Sequence, residues 1–133
     1  MNAFIVDVEN RPGTMAQVTE AVAAKGVNIL VLTVGYGDRG AVAFLCNDEG
    51  GARSGLNDAG LSFRESPVVL IRMEDKPGQS AAATRKLADA GMNIEFWMPV
   101  DTSKERFTVA VGVDNEEAAR EALSDQLTDW TYS

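Results

Sequence analysis

Apolar and polar residues alternate in two short segments of the chain, each of which ends at a Pro-Gly turn. The alternating apolar positions are Phe4, Val6 and Val8 in the first segment and Val69, Ile71 and Met73 in the second. A period of two is typical of a half-buried strand. After each turn the spacing becomes helical, with apolar residues at Met15, Val18 and Val22 and at Ala83, Leu87 and Ala90. Each turn is therefore predicted to join a strand to a helix.

The two segments belong to an internal repeat with a shift of 65 residues. Residues 9–13 (ENRPG) return as residues 74–78 (EDKPG). Residues 26–29 (GVNI) return as residues 91–94 (GMNI), with no gap between the two matches. Duplication of one unit explains this pattern, so a single unit should be read twice along the chain.

Two strands, a helix and a closing strand complete each copy. The strands are predicted near 28–35, 40–47 and 61–66 in the first copy and near 93–99, 105–112 and 127–132 in the second. Polar turns should join the middle strands, at Gly37-Asp38-Arg39-Gly40 and at Asp101-Thr102-Ser103-Lys104. The second helix is predicted more clearly in the second copy, where Asp114 and Glu117 form a capping box. In the first copy Gly50, Gly51 and Gly55 predict a short or frayed helix.

The fold class that follows is α+β, with two ferredoxin-like βαββαβ repeats. Each repeat should place two helices on one face of an antiparallel sheet. The predicted domains are residues 1–66 and residues 67–133.

Composition excludes several classes of function. The 133 residues include 20 acidic and 12 basic side chains, for a formal net charge of −8. Nucleic acid and membrane surfaces are therefore not expected as partners. Histidine is absent, and the single cysteine, Cys46, falls on the core face by alternation, so we expect neither metal, cofactor nor catalysis. The chain opens directly on a strand pattern without a leader-like segment, which predicts a cytoplasmic location.

The two Pro-Gly loops resemble those of the ACT domain. In that family an acidic or amide residue followed by x-Pro-Gly commonly ends the first strand, and Gly-Val-Asn-Ile commonly opens the second. Both copies carry both motifs, and the resemblance covers nearly the whole chain. It implies an allosteric sensor of an amino acid or similar small metabolite. ACT domains are often attached to metabolic enzymes, so an enzyme regulated by this chain is an expected partner.

A ligand site is predicted at the loops. Gly13 and Gly78 lie at helix starts, where first-turn N–H groups can receive a carboxylate, and Asn10 or Asp75 can accept from an ammonium. The candidate ligand-binding residues are Asn10, Arg11, Pro12, Gly13, Thr14, Met15, Asn28 and Ile29 in the first copy, and Asp75, Lys76, Pro77, Gly78, Gln79, Ser80, Asn93 and Ile94 in the second. Simple turn formation is the alternative role of these residues.

The sheet face away from the helices is predicted to be an apolar contact surface. Alternation places there Ile5, Leu30, Leu32, Leu45, Leu70 and Trp97, mixed with Asp7, Arg72, Glu95, Arg106 and Thr108. A contiguous apolar patch usually marks an interface, so we expect a homo-oligomer with stacked sheets. The resemblance further implies pairing of the strands near 29–34 and 94–98. The alternative function is a protein-interaction module that uses this face, with loops that bind no ligand.

Overall fold

In the computed structural model the chain divides into two units. Each unit begins with a strand and a helix that are joined by a Pro-Gly loop. The structure describes residues 1–35, 40–103 and 105–130. Residues 2–66 form the first unit, and the second begins at Pro67. The turn residues predicted at 37–39 and Lys104 lie outside the described residues, as does the end of the second closing strand at 131–132.

The first unit has the predicted βαββαβ order. Its elements are β1 (Asn2–Val8), α1 (Thr14–Ala23), β2 (Ile29–Gly35), β3 (Gly40–Cys46), α2 (Glu49–Asp58) and the first residues of β4 (Phe63–Glu74). The strand order is β2-β3-β1-β4, and β3 is antiparallel to both β1 and β2. Each unit thus places its helices over an antiparallel sheet, which confirms the predicted α+β class.

The second unit repeats this order, but no regular closing strand is present in it up to residue 130. It contains the rest of β4, then α3 (Gln79–Asp89), β5 (Ile94–Ser103), β6 (Arg106–Val113), α4 (Glu116–Ala122) and a 3₁₀ turn at Ser124–Gln126. The strand order is β4-β6-β5. The strand predicted at 127–132 is wrong for the described residues, because only one bridge forms, between Ile71 and Leu127. The 3₁₀ turn ends at Gln126, directly before Leu127, so the chain is not extended on the N-terminal side of this bridge.

The predicted turn at Asp101-Thr102-Ser103 is also wrong. These three residues belong to β5, where they pair with Thr108, Phe107 and Arg106 of β6. Polarity alone suggested a turn, but β-branched and small polar side chains are accepted on a sheet surface that faces water. The resemblance implied that β2 and β5 pair with each other. Within its own unit each of these strands has one hydrogen-bonded neighbour, which is β3 for β2 and β6 for β5.

Both β2 and β5 contain a bulge at the same position of the repeat. The register shifts between Ile29 and Val31 in β2, and between Ile94 and Phe96 in β5. Because a bulge adds one residue, it reverses which side chains face the helices. Leu32 and Trp97 therefore pack against the helix-side cores, and their predicted place on the opposite face is wrong.

The apolar residues predicted on the face away from the helices differ in how far they are shielded from solvent. Ile5 is 6% exposed and Leu45 is fully buried. Leu30 and Leu70 are half-buried, and Thr108 is buried. The charged residues predicted on this face, Asp7, Arg72, Glu95 and Arg106, are exposed.

Helix α2 is a full helix, contrary to the prediction of a short or frayed one. It spans ten residues, while α4 of the second unit spans seven. Its glycines permit close packing, because a Cβ at Gly55 would overlap the carbonyl oxygen of Ala21 in α1 and a Cβ at Gly51 would meet Val27 at 2.6 Å. Tertiary packing thus compensates for the low intrinsic helix propensity of glycine.

The capping residues of the second helices differ from the predicted box. Asn115, not Asp114, is the N-cap of α4, and its side chain accepts a hydrogen bond from Ala118 N–H at 3.0 Å. Asp48 does the same for α2 by accepting from Gly51 N–H. The Asp114 carboxylate instead accepts from Asn93 N–H at 3.3 Å.

Each unit has its own helix-side apolar core. The first contains Phe4, Val6, Val18, Val22, Val42, Phe44, Cys46 and Leu56. The second contains Val69, Ile71, Met73, Ala83, Leu87, Val109, Val111 and Leu123. Cys46 is a packed side chain, as its alternation with Val42 and Phe44 predicts.

The Cys46 thiol should react slowly with an exposed-thiol reagent. Burial raises the pKa of Cys46, so the thiolate fraction at neutral pH is small, and the side chain is only 6% exposed. We expect modification by a disulfide reagent at pH 7.5 to be at least about ten-fold slower in the folded chain than in 8 M urea. Equal rates in the two conditions would contradict the packing of this cysteine.

Candidate functional site

The two Pro-Gly loops have nearly the same backbone geometry. Gly13 is the N-cap of α1 with φ 91° and ψ −11°, and Gly78 is the N-cap of α3 with φ 91° and ψ −12°. Residues with a β-carbon rarely adopt this left-handed conformation, so both positions require glycine. No Cβ-sized obstruction lies within 4 Å of either residue among the described residues. Glycine is therefore required at both positions by the backbone conformation and not by a lack of space, because the place of a side chain is open.

The helices that follow these glycines start without a side-chain cap. In the described chain, neither α1 nor α3 has a side chain bonded to its first-turn N–H groups. The other two helices are closed by Asp48 and Asn115. The positive end of the helix dipole is thus not closed by a side chain at these two loops, where the N–H groups of Thr14 and Gln79 make only long bonds, of 3.5 and 3.4 Å, to the carbonyl oxygens of Arg11 and Lys76. Such an end attracts a carboxylate or another anion.

A cation folds back in each loop onto the acidic residue two positions earlier. Arg11 Nε lies 2.7 Å from Glu9 Oε2, and Lys76 Nζ lies 2.7 Å from Glu74 Oε2. In both loops a backbone hydrogen bond joins the same two residues, at 2.9 and 3.0 Å. The Lys76 ammonium lowers the pKa of Glu74. All four side chains are largely exposed, so these pairs order the loops without closing them.

The first helical residue differs between the two loops. Thr14 is buried, and its hydroxyl donates to the carbonyl oxygen of Arg11 at 3.1 Å. Gln79 is half-buried and lines a cavity. The remaining predicted loop residues, Asn10, Pro12, Met15, Asp75, Pro77 and Ser80, are exposed. The loops are thus alike in backbone and unlike in the side chains that they offer to a ligand.

Asn28 and Asn93 do not lie beside the Pro-Gly loop of their own repeat. Each follows the helix that the loop starts, and α1 of ten residues is about 15 Å long. Their N–H groups are already bonded, to Asn47 Oδ1 at 2.9 Å and to Asp114 Oδ1 at 3.3 Å. Within one repeat the structure therefore brings together residues 10–15 or 75–80, and it separates them from Asn28 and Ile29 or from Asn93 and Ile94.

An open cavity of about 530 Å³ adjoins the second loop. Its lining residues are Arg72, Met73, Glu74, Gln79, Arg106, Asp125, Gln126, Leu127 and Thr128. Its volume is within the usual range for small-molecule sites, about 300–1,000 Å³. Of these residues, sequence reasoning singled out only Gln79 as part of a ligand site.

A comparison of the two copies shows a difference in charged residues that points to the cavity. At the shift of 65 residues, Arg72 corresponds to Asp7 and Arg106 corresponds to Ala41. Two arginines thus occur in the second copy where the first has an acid and a methyl group. The rest of the cavity comes from residues 125–128, whose position depends on the bridge between Leu127 and Ile71.

The fold and the paired loops define a tandem of two ferredoxin-like units, each with one open helix start. A family model for the ACT domain pair matches residues 1–131. The chain belongs to this family, which confirms the resemblance found in the loops. Membership supports a ligand-binding regulatory role for the chain.

Solved structures with the same fold cover almost the whole chain. A protein from Bacteroides thetaiotaomicron has a TM-score of 0.76 at 22% identity, over 96% of this chain and 90% of that one. The ligand-free regulatory subunit of aspartate kinase from Thermus thermophilus has a TM-score of 0.63 at 23% identity, over 94% and 91%. The corresponding regulatory subunit from Thermus flavus has a TM-score of 0.61 at 22% identity, over 93% and 91%. At these identities the likeness concerns the fold.

Among curated protein sequences, none matches this chain significantly. No helix in the described part of the chain is long and apolar enough to cross a membrane.

Proposed function

We propose that this chain is a regulatory protein without catalytic activity that binds an amino acid or similar small metabolite at its Pro-Gly loops. The single observation that carries the proposal is the difference in helix capping within each unit. Helices α1 and α3 start at left-handed glycines without a side-chain cap, whereas α2 and α4 are capped by Asp48 and Asn115. An amino acid supplies the carboxylate that such a helix start favours.

The ligand acts allosterically in this proposal, on an enzyme partner. A ligand shifts the balance between two arrangements of a protein only by its difference in affinity for them, typically about 1–3 kcal/mol. One structural neighbour is itself described as a regulatory subunit of aspartate kinase. By analogy with that neighbour, we propose that a separate chain of this architecture can regulate an enzyme. Homo-oligomer formation remains a prediction, which light scattering on the purified chain would measure.

A thermal-shift screen tests the ligand class. The purified chain would be heated with each of the twenty amino acids, and with purines and common acyl intermediates for comparison. A ligand present at 100 times its dissociation constant should stabilise the folded chain by about 2.7 kcal/mol, which corresponds to several degrees in a chain of this size. A screen in which no compound raises the melting temperature would overturn the proposed function.

Variants at the loops connect any shift to the proposed site. Asn10→Ala and Asp75→Ala each remove an exposed polar side chain beside a Pro-Gly turn. At least one of them should reduce the ligand-induced shift, while the melting temperature without ligand changes little. Asn57→Ala and Asp89→Ala are matched controls, because they remove exposed polar side chains near the far ends of α2 and α3. If the control variants lost the ligand-induced shift and the loop variants kept it, the ligand would bind at a place other than the Pro-Gly loops.

A further inference from the structure

The two arginines of the cavity lie on one face of neighbouring strands. Arg72 of β4 is paired with Thr108 of β6, and Glu74 of β4 is paired with Arg106. Arg72 and Arg106 are therefore diagonal neighbours on the same side of the sheet, at a typical separation of about 7–8 Å. Two arginines that start from such neighbouring positions can hold the two ends of a small anion, since each guanidinium binds a carboxylate through paired N–H donors.

Among the described residues neither arginine forms an ion pair, although the charge of Arg106 contributes, after Lys76, to the lowered pKa of Glu74. Arg72 Nε donates to the Thr108 hydroxyl at 3.3 Å. Arg106 lies opposite Glu74, but the carboxylate of Glu74 is held by Lys76 at 2.7 Å. Asp125 is the other acid of the lining. The lining thus contains two cations, Arg72 and Arg106, and two carboxylates, Glu74 and Asp125, and Glu74 is already paired with Lys76.

Gln126, a lining residue of the cavity, has a side-chain acceptor that lacks a donor. Its Oε1 is buried and has no hydrogen-bond partner among the described residues. A buried acceptor without a partner is unfavourable, so an N–H donor on a ligand that reached it would stabilise the side chain. Asp125, next to Gln126 on the 3₁₀ turn, favours a donor that carries a positive charge. The lining thus offers two anion-binding groups and a place for an ammonium.

We propose that this cavity binds an acidic amino acid, with its two carboxylates on Arg72 and Arg106 and its ammonium beside Gln126 and Asp125. Such a ligand has two carboxylates for the two arginines and one ammonium for the free carboxylate of the lining, Asp125. The first unit has Asp7 and Ala41 at the corresponding positions, so it lacks this pair of cations. The inference rests on the proposed sensor function and names the charge class of the ligand and the unit that binds it. It differs in one respect, because it places the carboxylates on two arginines beside the second Pro-Gly loop and not at the start of α3.

Calorimetric titration of the full chain with six probes tests this inference. The probes are L-aspartate, L-glutamate, their amides L-asparagine and L-glutamine, and the corresponding diacids without the ammonium, succinate and glutarate. We expect one of the two acidic amino acids to bind with the lowest dissociation constant. Its amide and its diacid should each bind at least about ten-fold more weakly, because each loses one charge-assisted interaction.

Arginine variants locate the binding. Arg72→Gln and Arg106→Gln should each raise the dissociation constant for the acidic amino acid by about ten-fold or more. Arg85→Gln, on the exposed surface of α3 in the same unit, is the matched control and should leave it unchanged. Melting temperatures without ligand establish that all three variants fold.

Different results would overturn different statements. Tighter binding of a neutral amino acid would overturn the charge class and leave the sensor function in place. Unchanged binding of the acidic amino acid by both arginine variants would overturn the cavity as the site. Binding of no amino acid or other metabolite would overturn the sensor function itself, and the inference with it.

Discussion

Replacement of Gly55 by alanine is expected to destabilise the first unit by about 1–3 kcal/mol, although alanine is the better helix former. Gly55 lies inside α2, and an added Cβ would overlap the backbone carbonyl oxygen of Ala21 in α1. A backbone atom cannot rotate away as a flexible side chain can, so the two helices would have to separate. The cost of that separation exceeds the gain of at most about 1 kcal/mol from helix propensity.

Gly50→Ala provides the matched comparison within the same helix. Gly50 is exposed, and the nearest atom to an added Cβ is Asp48 Oδ1 at 3.6 Å, an ordinary contact. This variant should be neutral or more stable by up to about 1 kcal/mol. Urea denaturation of both variants and the original chain measures the free energies of unfolding. Two variants of equal stability would show that α1 and α2 are not in the close contact described.

Replacement of Phe44 by alanine is expected to lower the free energy of unfolding by about 3–5 kcal/mol. Phe44 is fully buried in the first core, and its ring is stacked on Phe4 with centroids 5.4 Å apart and an interplanar angle of 16°. The change removes a large buried ring, leaves a cavity in the helix-side core of the first unit, and eliminates an aromatic pair. Few single substitutions in this chain should cost as much.

Phe63→Ala is the control for this prediction. Phe63 also contacts Phe4, with centroids 5.8 Å apart, but it is only half-buried at the start of β4. Its loss should cost less, about 1–2 kcal/mol, because less apolar surface was removed from water. Urea denaturation again gives both values. A larger cost for Phe63 than for Phe44 would contradict the described position of the core.

The elements that the sequence predicted well depend on local patterns. The alternation before each Pro-Gly turn and the helical spacing after it depend on neighbouring residues, and so β1, α1 and α3 were found in place. The left-handed conformation of Gly13 and Gly78 was not predicted, although both glycines belong to that short motif. Because the motif occurs twice in one register, it also predicted the family.

The predictions that failed depend on information from outside the local segment. The face of Leu32 and Trp97 was assigned from strict alternation, which the bulges in β2 and β5 interrupt. The length of α2 depends on the approach of Ala21 to Gly55, which propensity alone does not contain.

The candidate site was predicted only in part for the same reason. The loop residues are contiguous in sequence, so a motif is enough to find them. The cavity joins Arg72, Arg106 and Gln126 from three separate parts of the second unit. Only the strand register and the bridge at Leu127 bring these residues together. A comparison of charges between the two copies would have drawn attention to the arginines, but not to the glutamine.

The matched bulges in β2 and β5 are part of a backbone that the two copies share. An extra residue at the same place in both copies, together with the same left-handed glycine, is most simply inherited from one ancestral unit. The side chains around the loops differ between the copies, with Asp7 in one and Arg72 in the other. The two copies therefore share a backbone that fixes where a ligand can approach, and they differ in the side chains that decide which ligand each one could accept.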